Sequence, residues 1–239
     1  MKFTKAMEYY EKGDFTRAST LLYELIAIYR GTEKSQESHF LYANCLYRMK
    51  DYALAAHYYK TFVQSYPTSN NMEESQFMAA YCIYKQSLNP RLDQTTTYEA
   101  LEAFQLFINI YPRSDRVVEA TNLMDELRDK LAYKAYLNAK LYFNLGTYMG
   151  NNYKSAIITA RNTLDEYPDT EFREELSFLI LEAKYTQAIY SIEDLKEDRL
   201  RDSIDEYYSF INEFPTSQYL ARANKFFEDA TSLIKGSQK

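Results

Sequence analysis

Few side chains in this sequence are of a type and spacing that would support catalysis or metal binding. Histidine occurs only at His39 and His57, and neither stands in an HExxH or cysteine-rich context. Metal ligands need such clustering, so no metal site is predicted, and both histidines are expected to be solvated or to pack. Cys45 and Cys82 are the only cysteines. With no further cysteine, they form neither a disulfide framework nor a zinc site.

Acidic residues cluster, but in places where carboxylates stabilise helices. Glu73-Glu74, Glu174-Glu175 and Glu193-Asp194 fall at or near expected helix starts, where negative charge favours the helix dipole. No GxSxG, P-loop or Rossmann fingerprint occurs. We therefore expect a protein that is not an enzyme, with no catalytic residues and no cofactor.

The composition favours helices and argues against several classes of protein. The 239 residues include 25 Tyr and 14 Phe but only 5 Gly and 5 Pro, too few turn formers for an all-β domain. A net charge of −6 argues against general affinity for nucleic acids, which requires a basic surface. No apolar run approaches the ~20 residues that span a bilayer, and the first residues lack the apolar core of a signal peptide.

An aromatic residue followed by proline recurs along the chain and predicts helix ends. Proline cannot continue a helix and disfavours helical geometry in the residue before it. A Ser or Thr follows each copy and is expected to cap the next helix. The copies are Tyr66-Pro67-Thr68-Ser69, Tyr111-Pro112-Arg113-Ser114, Tyr167-Pro168-Asp169-Thr170 and Phe214-Pro215-Thr216-Ser217, with Tyr29-Arg30-Gly31-Thr32 as a degenerate copy.

Positions upstream of each closing aromatic repeat as well. A small residue stands eleven positions before it, where two helices would cross closely, and the position seven before it is large and apolar in four of the five copies. Residues 38–48 match residues 75–85 at a constant offset of 37, which places both cysteines at one repeat position. Equivalent positions on packed helices lie about 8–10 Å apart, too far for a disulfide. We therefore expect inert thiols.

These patterns predict helix–turn–helix units that must stack, because one unit cannot cover both of its apolar stripes. The unit resembles the tetratricopeptide repeat. The expected fold is an all-α superhelix, one continuous solenoid of about five such repeats with a C-terminal capping helix. The predicted repeats are residues 1–34, 35–71, 72–115, 116–171 with an extra or extended helix, and 172–239 with the capping helix; a loop of residues 88–97 lengthens the third.

In stacked helix pairs the first helices line a concave face, so their exposed side chains are candidates for a peptide-binding groove. Seven of the eleven candidates are aromatic, and Tyr and Phe offer large contact area with few rotors to immobilise. The other interpretation is that some of them only fill space between neighbouring helices. The candidates are Phe3, Met7, Tyr10, Phe40, Asn44, Tyr47, Arg48, Phe77, Tyr81, Tyr84 and Lys85.

The sequence is similar to one family, the outer-membrane assembly lipoprotein BamD (YfiO-like) family. The similarity is carried by YYEKGDFTRA at residues 9–18, DYALAAHYY at residues 51–59 with Phe62 and Tyr66-Pro67, and DEYPDT at residues 165–170. Five units with lengthened later copies, in a chain of this length, also match the family's plan.

The resemblance implies a non-enzymatic scaffold of the machinery that folds and inserts β-barrel proteins. It implies lipid anchoring at the periplasmic face of the outer membrane of a Gram-negative bacterium, N-terminal repeats that receive unfolded outer-membrane proteins, and C-terminal repeats that dock on the barrel-shaped subunit. No lipobox cysteine stands near Met1, so either the anchor lies upstream of this chain or this member has none. The alternative is another tetratricopeptide adaptor, a periplasmic cell-envelope coordinator or a cytoplasmic co-chaperone, that binds a partner peptide.

Overall fold

The computed structural model describes residues 2–237, and these residues form eleven α-helices and no β-strand. The prediction of an all-α helical-repeat fold is confirmed. Met1, Gln238 and Lys239, which belong to the predicted first and last repeats, lie outside the described residues. The helices are α1 (Lys2–Glu11), α2 (Phe15–Ile28), α3 (Glu33–Arg48), α4 (Tyr52–Ser65), α5 (Met72–Tyr84), α6 (Thr95–Ile110), α7 (Val117–Leu145), α8 (Asn152–Glu166), α9 (Arg173–Ile189), α10 (Glu193–Glu213) and α11 (Leu220–Ser237).

The helices form two compact units, one ending at Leu127 and one beginning at Arg128, inside α7. In the first unit each helix from α1 to α6 packs on the next, around a core that includes Leu22, Tyr59 and Phe104. In the second unit α8 packs on α9, α9 on α10, and α11 on both α9 and α10. The core of each unit therefore forms mainly between neighbours in sequence, with α11 and α9 as the exception.

The small residue eleven positions before each closing aromatic is the point where paired helices approach. Ala18, Ala55, Ala100 and Ala156 are all fully buried, and Ser203 is 3% exposed. Because these side chains are small, the backbones can come close enough to bury the residues four positions later. Those residues are Leu22, Tyr59, Phe104 and Ala160, each 0% exposed, and the partly buried Tyr207.

In three of the five helix pairs, a side-chain cap holds the turn inside the pair. Asp14, Asp51 and Asn151 each accept a hydrogen bond from the backbone N–H three residues later, at 3.1, 3.2 and 3.2 Å. This satisfies one of the N–H groups that every helix start leaves without a partner. The second helix of the pair therefore begins at a defined residue.

The Ser or Thr three residues after each closing aromatic joins successive pairs. In the four copies with proline, its hydroxyl accepts a hydrogen bond from the backbone N–H two residues later, so it orders the turn before the next helix instead of capping the helix. The same hydroxyl bonds a polar side chain on the first helix of the preceding pair. These bonds join Ser69 to Gln36, Ser114 to Glu73, Thr170 to Asp129, and Ser217 to Glu174. In the copy without proline, Thr32 caps α3 as predicted, because its hydroxyl accepts from the backbone N–H of Ser35.

The added length of the later repeats takes two forms. In the third repeat it is the segment between Tyr84 and Thr95, where the Gln94 amide donates to the backbone carbonyls of Asn89, Leu92 and Asp93. In the fourth repeat no extra helix forms: α7 is one continuous helix of 29 residues. Its sequence contains neither proline nor glycine, so nothing interrupts the helix.

His39 packs inside the first unit. It is 4% exposed, and the rings of Tyr58, Phe62 and Tyr66 have their centroids 5.6, 5.8 and 5.7 Å from its own. Among the described residues its Nε2 atom has no hydrogen-bond partner. Burial lowers the pKa of His39 below its usual 6.5, with a small further lowering from His57, and a backbone hydrogen bond with Tyr58 opposes this only in part.

The burial of His39 predicts acid sensitivity of the first unit. Above pH 6.5 the histidine is neutral in both folded and unfolded chains, but as the pH falls through that value the unfolded chain binds a proton that the folded chain does not. Stability is therefore lost on acidification. We expect His39→Gln to remove this part of the pH dependence, since Gln76 stands at the equivalent position 37 residues later. Urea unfolding of both proteins at mildly alkaline and mildly acidic pH tests this; parallel losses of stability would contradict it.

The hydroxyl bonds between pairs predict a second stability effect. Ser114→Ala removes the bond to Glu73 and the bond from the backbone N–H of Arg116, so we expect a loss of about 1 kcal/mol in the free energy of unfolding. Ser65→Ala, at an exposed helical position, should change it by less than about 0.5 kcal/mol. The comparison is made by urea denaturation. Equal midpoints for the two variants would show that the bond contributes nothing.

Candidate functional site: a tyrosine-lined cleft in the first unit

The first helices of the first three pairs, α1, α3 and α5, line a cleft of about 360 Å³ together with the start of α7. We call it the tyrosine cleft. It lies wholly in the first unit. Its lining residues are Tyr10, Phe40, Asn44, Tyr47, Arg48, Glu74, Phe77, Met78, Tyr81, Arg116 and Glu119.

Seven of the eleven candidate groove residues line this cleft: Tyr10, Phe40, Asn44, Tyr47, Arg48, Phe77 and Tyr81. They meet because residues three, four or seven apart share one face of a helix, and the offset of 37 places α3 and α5 in the same orientation. The structure therefore brings together most of the residues that the sequence analysis selected as candidates for the groove. The remaining four candidates, Phe3, Met7, Tyr84 and Lys85, are not among the lining residues.

Two of these four contact neighbours at the C-terminal end of α5. The Tyr84 hydroxyl donates to the Glu126 carboxylate on α7 at 2.8 Å, and its ring packs against Phe104. The Lys85 ammonium lies over the rings of Tyr81 and Tyr84, 4.9 and 5.1 Å from their centroids. Both side chains are therefore used in packing within the unit, the space-filling role that the sequence left open.

Aromatic rings form the walls and floor of the cleft. Tyr47 and Tyr81 meet edge to face with centroids 6.1 Å apart, and Tyr81 stacks on Phe77 at 6.0 Å. Phe77 is only 1% exposed, because Phe104 and Phe107 pack on its other side. It belongs to the core and supplies the floor, whereas Tyr10, Tyr47 and Tyr81 are partly exposed. A partner side chain would therefore contact tyrosine rings first.

The sequence analysis did not select Glu74, Met78, Arg116 or Glu119. Arg116 bonds Glu74 at 2.8 Å and Glu119 at 3.3 Å, and its guanidinium lies 4.4 Å from the centroid of the Phe77 ring. Arg116 stands five residues after the closing aromatic Tyr111, and the equivalent residues later in the chain also stack on an aromatic ring of a first helix. Those pairs are Phe172 on Tyr136 and Tyr219 on Phe178. This repeat position was the signal that could have found Arg116.

The two arginines of the cleft differ in their charge partners. Arg116 is neutralised by two carboxylates, whereas Arg48 has no carboxylate within ion-pair distance among the described residues. Burial raises the pKa of the nearby Tyr10 hydroxyl, so this ring stays neutral beside Arg48. The Tyr59 hydroxyl donates to Asn44 Oδ1 from below the cleft and orients the amide. The surface thus presents aromatic faces and one unpaired cation, which suit an aromatic or aliphatic side chain next to a carboxylate.

Groups that could perform chemistry lie away from the cleft or are inert. Cys45 and Cys82 are free and fully buried, and burial raises the pKa of each thiol to about 12. At neutral pH both are therefore protonated. No cluster of three metal-ligating His, Cys, Asp or Glu side chains occurs in residues 2–237. Within the same residues no helix has the length and apolar character to cross a bilayer.

The fold and the cleft define the class: a protein of stacked helix pairs that presents an aromatic surface on its first helices. The chain matches the sequence model of the outer membrane lipoprotein family YfiO over residues 2–191. It belongs to this family, so the predicted BamD (YfiO-like) membership is confirmed. The family associates with the outer membrane and its members are generally non-enzymatic. No curated protein matches the chain.

Proposed function

We propose that the protein is a non-enzymatic scaffold of the β-barrel assembly machinery, on the periplasmic face of the outer membrane. Its tyrosine cleft receives unfolded outer-membrane protein precursors, and its second unit docks on the soluble domains of the barrel-shaped subunit. Membership of the outer membrane lipoprotein family supports the setting. The observation that carries the proposal is the cleft itself, with three partly exposed tyrosines beside an unpaired arginine.

The cleft suits a chain that has not yet folded. Tyrosine rings contact apolar side chains of many shapes, and their hydroxyls bond the backbone carbonyls that an extended chain leaves free. Because the side chains are held by ring contacts such as that of Tyr47 with Tyr81, little rotamer freedom remains to be lost on binding. A precursor segment that ends in an apolar residue close to a carboxylate would place the apolar side chain on the tyrosine rings. Its carboxylate would then pair with the guanidinium of Arg48.

The second unit offers an apolar surface for docking at the turns α7–α8 and α9–α10. Tyr148, Met149, Tyr190 and Ile192 are 68, 90, 67 and 67% exposed. The Tyr153 ring stacks on Tyr190 with centroids 6.2 Å apart, which brings the two turns together. Clustered exposure of large apolar side chains is typical of protein interfaces. We assign the docking of the barrel-shaped subunit to these four residues, the turn patch.

The cleft assignment predicts the behaviour of Tyr47→Ala. Removing one well-buried aromatic contact from a peptide interface costs about 2 kcal/mol, so C-terminal peptides of outer-membrane β-barrel proteins should bind the variant about thirtyfold more weakly. Binding is measured by titrating labelled peptides and recording fluorescence anisotropy. Tyr98→Ala is the matched control, because Tyr98 is half exposed on α6 and lies outside the cleft. Wild-type affinity in the Tyr47 variant would reject the assignment.

The turn patch predicts the outcome of an affinity pull-down from envelope extract. The wild-type protein should retain a barrel protein with repeated periplasmic domains, and the double variant Met149→Ser with Ile192→Ser should lose it. Both residues are exposed, so the folded unit should keep its stability. Ile28→Ser, at a residue 61% exposed in the first unit, is the control. Retention of a cytoplasmic chaperone instead of a barrel protein would favour the alternative adaptor function.

A further inference from the structure

A second groove lies on the opposite side of α5 from the tyrosine cleft, between α4 and α6. We call it the alanine trough. Ala79 and Ala80, 2% and 0% exposed, form its floor with Ala103, and its volume is about 500 Å³. Lys60 lines it from α4, and Glu99, Glu102, Leu106 and Ile110 line it from α6.

The equivalent site one repeat earlier, between α2 and α4 over α3, is filled by three tyrosines. The Tyr42 ring lies 5.5 Å from that of Tyr23 and 4.6 Å from that of Tyr58, measured between centroids. Burial, with the neighbouring tyrosines, raises the pKa of Tyr42 to about 12. This aromatic cluster closes the space between the two second helices.

The alanine trough is open because all three tyrosines are replaced at the same repeat positions. Tyr23 and Lys60 each stand six residues before a closing aromatic, and Tyr58 and Ala103 each stand eight before one. Ala79 follows Tyr42 at the constant offset of 37. Alanine therefore stands in place of two of the tyrosines and lysine in place of the third. The volume that the rings fill one repeat earlier is here open to solvent.

The corresponding site of the second unit, between α8 and α10 over α9, is filled in another way. Arg161, six residues before its closing aromatic, bonds Glu206, eight before the next, at 3.0 Å. Lys184 bonds the same carboxylate at 2.6 Å, and the 2% exposed Ile180 stands at the position of Ala79. Two of these three equivalent sites are thus closed by the chain's own side chains, and the alanine trough is not.

The trough has the shape and charge to receive a helix. Its α6 wall carries Ala103, Leu106 and Ile110 at helical spacing, and the latter two are 50% and 45% exposed. From Glu99 to Ile110 this wall is about 16 Å long, or three helical turns. An extended segment would leave its backbone groups unpaired there, because the three helices already bond their own. Glu99 and Glu102 line the groove from α6 and form no ion pair among the described residues, whose ion pairs join other side chains; Lys60 lines the opposite wall from α4.

We propose that the alanine trough binds an amphipathic helix of a partner protein. The apolar side chains of this helix, at least one of them aromatic or leucine, fill the space over Ala79 and Ala103. The tyrosine cluster fills the equivalent space one repeat earlier. The Lys or Arg residues of the partner helix face Glu99 and Glu102, which lie along one flank. The site is separate from the tyrosine cleft and from the turn patch, so it adds a third binding surface to the proposed scaffold.

The probe is a hydrocarbon-stapled amphipathic helical peptide with Leu and Phe on one face and Lys along one flank, paired with a twin that carries Glu instead of Lys. We expect the Lys peptide to shift the backbone amide resonances of Ala79, Ala80 and Ala103 on binding. The Glu twin should bind about tenfold more weakly, because two exposed charge pairs become repulsions. Equal binding of the two peptides, or shifts confined to other residues, would overturn the proposal.

The matched variants refill the groove or remove its apolar wall. Lys60→Tyr with Ala79→Tyr and Ala103→Tyr rebuilds the tyrosine cluster and should abolish peptide binding. Leu106→Ser, at a half-exposed residue, should weaken it about tenfold if the larger substitutions prevent folding. Ile28→Ser is the control, since that residue is exposed on α2 outside the trough. Unchanged affinity in Leu106→Ser and in the refilled variant would reject the site.

Two further measurements separate this proposal from its competitors. Binding of outer-membrane protein peptides to the tyrosine cleft should be unchanged in the refilled variant, so a failure of one site leaves the other testable. Sedimentation of the wild-type protein over a concentration series should show no dimer that the refilled variant lacks. Such a dimer would mean that a second copy of this chain occupies the trough, and would overturn the assignment to a partner's helix.

Discussion

The whole structure depends on one constraint: each helix pair has two apolar faces, and its own two helices can cover only one of them. Fully buried alanines at Ala18, Ala55, Ala100 and Ala156 let the paired helices approach. The second face is buried only when the next pair packs against it, so each pair stabilises its neighbour. The hydroxyl bonds of Ser69, Ser114, Thr170 and Ser217 then fix where each new pair begins.

Once this packing is established, a few repeat positions are free to vary, and the proposed binding surfaces arise there. The position of Tyr42 is alanine in the next pair and isoleucine at Ile180, and the same backbone arrangement is closed by rings, left open, or closed by ion pairs and an isoleucine. On the other side of the same helices, Tyr47 of α3 and Tyr81 of α5 meet in an aromatic surface. A repeat protein can thus change its partners by side-chain substitution without changing its fold.

Much of the candidate site followed from the register of the repeat, since Phe40, Asn44 and Tyr47 share one face of α3 by helical periodicity alone. The register did not predict those contacts of the site that involve a residue distant in sequence. Arg116 reaches the cleft from the start of α7 through Glu74 and Phe77, and Glu126 holds Tyr84. Periodicity places side chains on one helix but carries no information about which neighbouring element will meet them.

The sequence by itself determined that this chain is helical, that it repeats, and where the helices end, because proline, small residues and aromatic spacing act locally. It also determined family membership. The structure showed that the extra residues of the fourth repeat extend α7 instead of forming another helix. Tertiary structure decided which tyrosines stay exposed and that a groove remains open over Ala79 and Ala103. These outcomes depend on how the side chains of three helices fill a shared volume, and no single segment specifies that volume.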